Sequence, residues 1–310
     1  MQMALAMANS IKKAFLQELT ARFGSLERLH RSQSLFTVGD DAARVYVRYS
    51  KRHGDKKTFY GLREEDLREL AGHRAVICFL WDDQAEPLFV SFAEYEDVFS
   101  AVSPARDGQY KVMIHLEESG AELYIAGAGR FSVAGHSGWN RLHNLIDASR
   151  LRYQPDLSHP QVQTLLGAIG SAKGFDVWVP QSDRPNLDWS LTAPFEFRVS
   201  LPLGFDPVVS TLAEVDVIWI NRGANSLQAL FEVEHSTPIY SGLLRFNDVH
   251  LAAPNSFPRF SVVSNDTRRD LFARQLNRPT FQASGLHKLC RFLDYGNVIE
   301  WHDRVSRQEE

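Results

Sequence analysis

Two apolar stretches in the second half of this 310-residue chain carry acids where strand interiors avoid them. Residues 213–220 are interrupted by Asp216, and residues 229–236 by Glu232 and Glu234. A charged group inside an apolar strand is costly unless a partner or a metal compensates it. Strand alternation places Glu232 and Glu234 on one face. If the two stretches pair as neighbours, Asp216 reaches that face and three carboxylates converge. Unpaired, they would repel one another and raise their own pKa values. A hard divalent cation, most naturally Mg2+, resolves that conflict. The competing reading is a solvated acidic patch, but Val215, Val217, Ile218, Trp219, Leu230, Phe231 and Val233 are too apolar for exposed edge strands.

The elements that must position these acids follow from periodicity. Val162, Leu165, Leu166 and Ile169 form a helical stripe closed by Gly174. Strands are expected at 175–179 and 195–199, followed by the two acid-bearing stretches, a helix at 239–249 and a strand at 260–263. Asp266 is expected to cap a helix running to Leu276, and a last helix to cover 285–294. This order predicts an α/β sandwich around a mixed sheet with flanking helices. The first half reads differently. A helix over 9–23 precedes mostly strands between 34 and 134, with a short helix at 64–70 and an apolar central strand at 75–81. It is expected to be a mainly β (α+β) domain. The polar, proline-bearing stretch 147–160 marks a boundary, giving domains at 1–150 and 151–310.

Asp216, fifteen intervening residues and then Glu232-Val233-Glu234, set in a helix–strand–strand–strand–helix order, resemble the PD-(D/E)XK nuclease superfamily of restriction-endonuclease-like folds. The resemblance covers about residues 159–294. It implies that Asp216 and Glu232 bind the metal, that the carbonyl of Val233 is a further ligand, and that Mg2+ is the cofactor. Glu234 stands where this superfamily usually has Lys, so it cannot supply positive charge but can accept a proton from water or hold a metal. Gln163 on the first helix, Ser236 and Arg245 are accessory candidates, Arg245 facing the substrate backbone. The implied activity is Mg2+-dependent endonucleolytic hydrolysis of DNA of restriction type II, leaving a 5′-phosphate and a 3′-hydroxyl. Alternatives are a DNA-binding protein that has lost catalysis and a nuclease that depends on a modified base.

The formal charge of −4 conceals a local basic patch. Residues 44–63 hold seven Lys or Arg against one acid, with aromatic residues interleaved. Read as a hairpin, this segment suits phosphate and base contacts through Arg48, Lys51, Arg52, Lys56, Lys57 and Tyr60; a merely basic outer face is the alternative. Double-stranded DNA is then the expected partner, recognised by the N-terminal domain and cut by the C-terminal one. Cutting two strands with one site per chain favours a homodimer. Two cysteines exclude a disulfide framework and a multi-cysteine zinc site. No stretch approaches the roughly 18 apolar residues of a membrane span, and a reducing cytoplasm is the expected compartment.

Overall fold

The computed structural model describes residues 2–307 except 30–31, 40, 55, 118–119, 151–155, 225, 236–237, 255 and 257. Ser236 therefore lies outside the described residues. The chain divides into two compact units, residues 1–152 and 153–310.

The first unit runs α1 (Gln2–Phe23), β1 (Leu26–Arg28), β2 (Leu35–Val38), β3 (Ala43–Ser50), β4 (Arg52–His53), β5 (Lys57–Arg63), α2 (Glu64–Leu70), β6 (Ala75–Trp81), β7 (Leu88–Ser91), α3 (Glu96–Ala101), β8 (Gln109–Glu117), β9 (Gly120–Ile125), β10 (Gly129–Ser132) and α4 (Asn140–Arg150). Two five-stranded sheets result, ordered β1-β2-β3-β6-β7 and β10-β9-β8-β5-β4. The first is mixed, because β3 and β6 run parallel; the second is antiparallel throughout.

Period-two alternation explains how the layers stack. Tyr46, Ile77 and Phe79 point to a core shared with Tyr60, Leu62, Val112 and Ile114 of the second sheet. Val45, Val47, Val76 and Cys78 point the other way, onto Phe15 and Leu19 of α1 and Leu142 and Ile146 of α4. Both faces of the first sheet are covered, which is why β6 reads as one continuous apolar run.

The second unit runs α5 (His159–Ala172), β11 (Asp176–Trp178), α6 (Val209–Ala213), β12 (Val217–Ile220), β13 (Leu227–Val233), α7 (Ile239–Ala252), β14 (Arg259–Ser264), α8 (Arg269–Leu276), α9 (Pro279–Ser284), β15 (Cys290–Asp294) and α10 (Tyr295–Ser306). Its sheet is ordered β11-β12-β13-β14-β15. The first three strands are antiparallel neighbours and the last three parallel. The parallel step from β13 to β14 is bridged by α7, as such a crossover requires. Ile218, Leu230 and Phe260 pack on Leu243 and Phe246 of α7. On the other face Trp219 meets Phe231 (ring centroids 4.7 Å apart) and Trp301 of α10 (5.2 Å). Its indole Nε1 donates to the Leu166 carbonyl of α5 at 2.9 Å. A Cβ on Gly170 would fall 2.4 Å from that nitrogen, so glycine is what lets α5 sit this close to β12.

Three expectations need correction. Residues 195–199 form no strand; only Phe197 makes an isolated bridge to Val177. Their rings pack locally instead, Phe195 against Trp189 and Phe197 (5.3 and 5.1 Å) and over the bare Gly167 of α5. The helix expected at 285–294 is a 3-10 turn followed by edge strand β15, and the last helix is α10. Asn265, not Asp266, caps the turn before α8, its side chain accepting from Thr267 N.

Candidate functional site

Antiparallel pairing of Val217 with Phe231 sets the start of β12 beside the end of β13. Asp216 lies one residue before β12, Glu232 is the next-to-last residue of β13, and Glu234 follows its end. The backbone therefore gathers these acids at one end of the sheet. Asp216 Oδ2 accepts a 2.6 Å hydrogen bond from the amide of Val233, so the residue between the two glutamates is tied to the aspartate. Glu232 and Glu234 both face α7, as alternation requires. A Cβ built on Gly242 of α7 would lie 2.7 Å from Glu234 Oε1 and 3.0 Å from Glu232 Cβ. Only unadorned helix backbone fits against this pair.

Glu232 is fully buried and Glu234 is 2% exposed. Burial pushes the Glu232 carboxyl up to about 8, against the hydrogen bonds of Arg245, and the negative charges of Asp216 and Glu234 add to the rise. Arg245, from α7, grips Glu232 bidentately: Nε donates to Oε1 at 2.8 Å and Nη2 to Oε2 at 2.6 Å. That hydrogen-bonded pairing strengthens the hold of the guanidinium on its proton. Arg245 was expected to face a substrate backbone; in this structure it is the counter-ion of a buried carboxylate.

Asp216 is 9% exposed, and its other oxygen, Oδ1, stands beside His159. Among the described residues, His159, Asp183 and Asp216 have ligand atoms that all lie within 4.8 Å of one another. His159 Nε2 stands 3.4 Å from Asp216 Oδ1. Burial works to lower the pKa of His159, but the hydrogen bond to Asp216 and the charges of Asp216, Asp183 and Glu234 outweigh it and raise it. Gln163, 2% exposed, joins the group as a brace. Its Nε2 donates to Asp183 Oδ2 at 2.9 Å and approaches the Asp216 carbonyl at 3.4 Å. Gln161 is occupied elsewhere: with Ser158 it forms the capping box of α5, which places His159 at the first helical position.

The structure thus brings Asp216, Val233, Glu232 and Glu234 together and places Gln163 beside them. It adds His159 and Asp183, which sequence reasoning missed. Asp183 sits in an irregular loop after β11 with no periodicity to flag it; its only signal was a carboxylate just beyond a strand that pairs with β12. On the far side of Glu234, Arg268 donates to the Glu234 and His235 carbonyls, and His235 Nδ1 lies 3.2 Å from the Tyr295 hydroxyl.

The basic segment 44–63 is not one hairpin. Its β3 belongs to the first sheet and β5 to the second, so its charges separate. Arg44 is buried, bonded to the Glu69 carbonyl. Arg48 is half-buried, 5.6 Å from the Tyr46 ring. Lys51, Arg52, Lys56 and Lys57 are exposed around the β4–β5 turn, with Phe59 44% exposed beside them. Tyr60 corrects the expectation of a base contact: it is 4% exposed and donates to the Leu80 carbonyl at 3.1 Å. Alternation along β5 exposes Phe59 and buries its neighbour.

A family model described as the Type II restriction enzyme NmeDI C-terminal domain matches residues 140–309. The chain is also similar to the Type II restriction enzyme NmeDI of Neisseria meningitidis serogroup C, 32% identical over 134 residues. That alignment covers 40% of this chain and 37% of the relative, so the chain spans well under half of the curated protein it matches. No solved structure matches.

Proposed function

The chain belongs to the family of the Type II restriction enzyme NmeDI C-terminal domain, and on that premise we propose that it is a Mg2+-dependent DNA endonuclease of restriction type whose second unit is a PD-(D/E)XK-like cleavage domain. One observation carries this reading. Asp216 and Glu232 meet at the ends of paired strands, inside the segment that the family covers, with Val233 hydrogen-bonded between them.

The donor set fits a divalent cation. Three carboxylates, those of Asp216, Glu232 and Glu234, are nearly or wholly buried at one sheet end, and their mutual repulsion contributes to the raised pKa of Glu232. Asp216, Glu232 and the Val233 carbonyl would hold the ion. A divalent cation there supplies Lewis acidity toward a phosphoryl oxygen and toward water. The chain's own groups do the rest. Glu234 takes a proton from the attacking water, the role open to an acid standing where Lys is usual. The water oxygen bonds to phosphorus as the bond to the 3′ oxygen breaks, and that oxygen takes a proton from solvent water and leaves as a hydroxyl. Arg245, hydrogen-bonded to both Glu232 oxygens, opposes the rise in pKa that burial imposes on that carboxyl. The exposed Lys51, Arg52, Lys56 and Lys57 neutralise backbone phosphates of double-stranded DNA. Two copies of the chain would cut two strands.

The test is incubation of the chain with duplex DNA and Mg2+. Cleavage that disappears in Asp216→Ala and Glu232→Ala supports the endonuclease. A second reading, a DNA-binding module without cleavage, draws on the Arg245 grip on both Glu232 oxygens. Salt-sensitive DNA binding with no cleavage under any divalent ion would favour it.

A further inference from the structure

The group formed by His159, Asp183 and Asp216 includes a nitrogen donor that the resemblance does not assign. We propose that His159 and Asp183 join Asp216 in holding a divalent transition-metal ion through one imidazole nitrogen and two carboxylate oxygens, so that the centre prefers manganese- or cobalt-type ions to magnesium. This rests on the reading of Asp216 as a cation ligand and extends it to residues outside the acidic motif.

Spacing is the first argument. Ligand atoms about 2.0–2.2 Å from one cation stand roughly 3 Å apart at right angles and about 4.2 Å apart across it. His159 Nε2 and Asp216 Oδ1 are 3.4 Å apart, and all three ligand atoms lie within 4.8 Å of one another. Shifts of a few tenths of an ångström bring such a group onto one ion.

Orientation is the second argument. Metal ligands are generally aimed by hydrogen bonds from groups behind them, and each carboxylate here has such a support. Asp216 Oδ2 is fixed by the Val233 amide, leaving Oδ1 toward His159. Asp183 Oδ2 is fixed by the buried Gln163 amide and Oδ1 by Ser182 Oγ at 3.0 Å. Gln163 also reaches the main-chain carbonyl of Asp216, so one side chain touches the carboxylate of Asp183 and the backbone of Asp216. His159 is placed by the capping box that starts α5.

Charge and donor type are the third. Two carboxylates stand beside one imidazole, so with the imidazole neutral, the form that ligates, the group carries net negative charge toward a cation. An imidazole nitrogen suits later first-row ions, whose affinity for nitrogen-containing sites exceeds that of Mg2+, which favours oxygen and keeps its waters.

The experiment uses the full chain loaded with Mn2+ or, separately, Mg2+. Binding is measured by calorimetry, and the nuclear environment of bound Mn2+ by pulsed electron paramagnetic resonance. Expected are Mn2+ affinity at least about tenfold above that of Mg2+ and a 14N modulation from a coordinated imidazole. Loss of an aiming or ligating group typically weakens a metal site by about 10–100-fold, so His159→Gln should abolish the modulation and most of the Mn2+ preference. Asp183→Asn should weaken Mn2+ while leaving the modulation. Mn2+ bound without 14N modulation, but lost in Asp216→Asn, would overturn this assignment and leave the nuclease reading standing. No divalent binding at millimolar ion would overturn both. The modulation is read on the unmodified chain, so the outcome does not depend on how the variants fold.

Discussion

Arg245 spans both oxygens of Glu232 at 2.8 and 2.6 Å, and it does so where the carboxylate has no solvent exposure at all. A buried carboxylate flanked by Asp216 and Glu234 needs nearby positive charge. α7 supplies it from the same helix whose Gly242 allows the two glutamates to pack. A cation held by Glu232, as proposed, would compete with the guanidinium for the same two oxygens.

Removing the guanidinium exposes that dependence. Arg245→Ala leaves Glu232 buried and unpaired, and breaking such a pair costs roughly 3 kcal/mol, the low end for buried pairs, because a quarter of the arginine side chain remains exposed. Urea denaturation should show this loss without metal and partial recovery with saturating Mn2+ or Mg2+. Equal losses with and without metal would show that Glu232 is not a cation ligand.

With Glu232 a cation ligand, as proposed, proton and metal compete for its carboxylate. Its folded pKa, pushed up to about 8, lies above the ordinary value of 4.5. The protonated carboxyl thus stabilises the fold fully below about pH 4.5, and that contribution fades as pH rises toward 8. Metal binding needs the carboxylate. The gain in melting temperature on adding Mg2+ should accordingly be larger at pH 8.5 than at pH 6, measured by differential scanning fluorimetry; a pH-independent gain would contradict it.

Gly242→Ala tests the close approach of α7. The added methyl meets Glu234 Oε1 and the Glu232 side chain at 3.0 Å or less, and overpacking of this kind costs about 1–3 kcal/mol. Calorimetry should show both a lower melting temperature and weaker divalent binding, because the strain falls on the proposed ligands themselves.

The β4–β5 turn carries the proposed DNA contacts. Replacing Lys51, Arg52, Lys56 and Lys57 with Ala should lower affinity for duplex DNA and reduce the slope of log K against log salt by about 3–4. Tyr60→Phe should leave that slope unchanged and cost about 0.5–1.5 kcal/mol of stability through its lost bond to Leu80. An unchanged slope in the quadruple variant would remove this turn from the interface.

What could be read from the chain was whatever local pattern encodes. Asp216, Glu232 and Glu234 stood out because acids inside short apolar runs are conspicuous, and alternation alone puts both glutamates on one face; that α7 covers that face is a matter of packing. Residues 290–294, Cys-Arg-Phe-Leu-Asp, were misassigned because so short a mixed segment fits either period. Residues 195–199 look like a strand, yet their aromatic rings pack on Trp189 and Gly167, a choice made by tertiary contacts. His159 and Asp183 were missed for a related reason. Their meeting depends on where α5 lies and how the loop after β11 folds back, and neither leaves a spacing in sequence. Arg245 was noticed, but its side-chain direction belongs to packing.

The indole of Trp219, lodged against Gly170 and bonded to the Leu166 carbonyl, acts as a ruler between β12 and α5. Asp216 sits at the foot of that strand and His159 at the head of that helix, so their separation is set by a joint to which neither belongs. A side chain larger than hydrogen at position 170 would lengthen the ruler, so the gap between imidazole and carboxylate can be tuned from there with both of those side chains left intact.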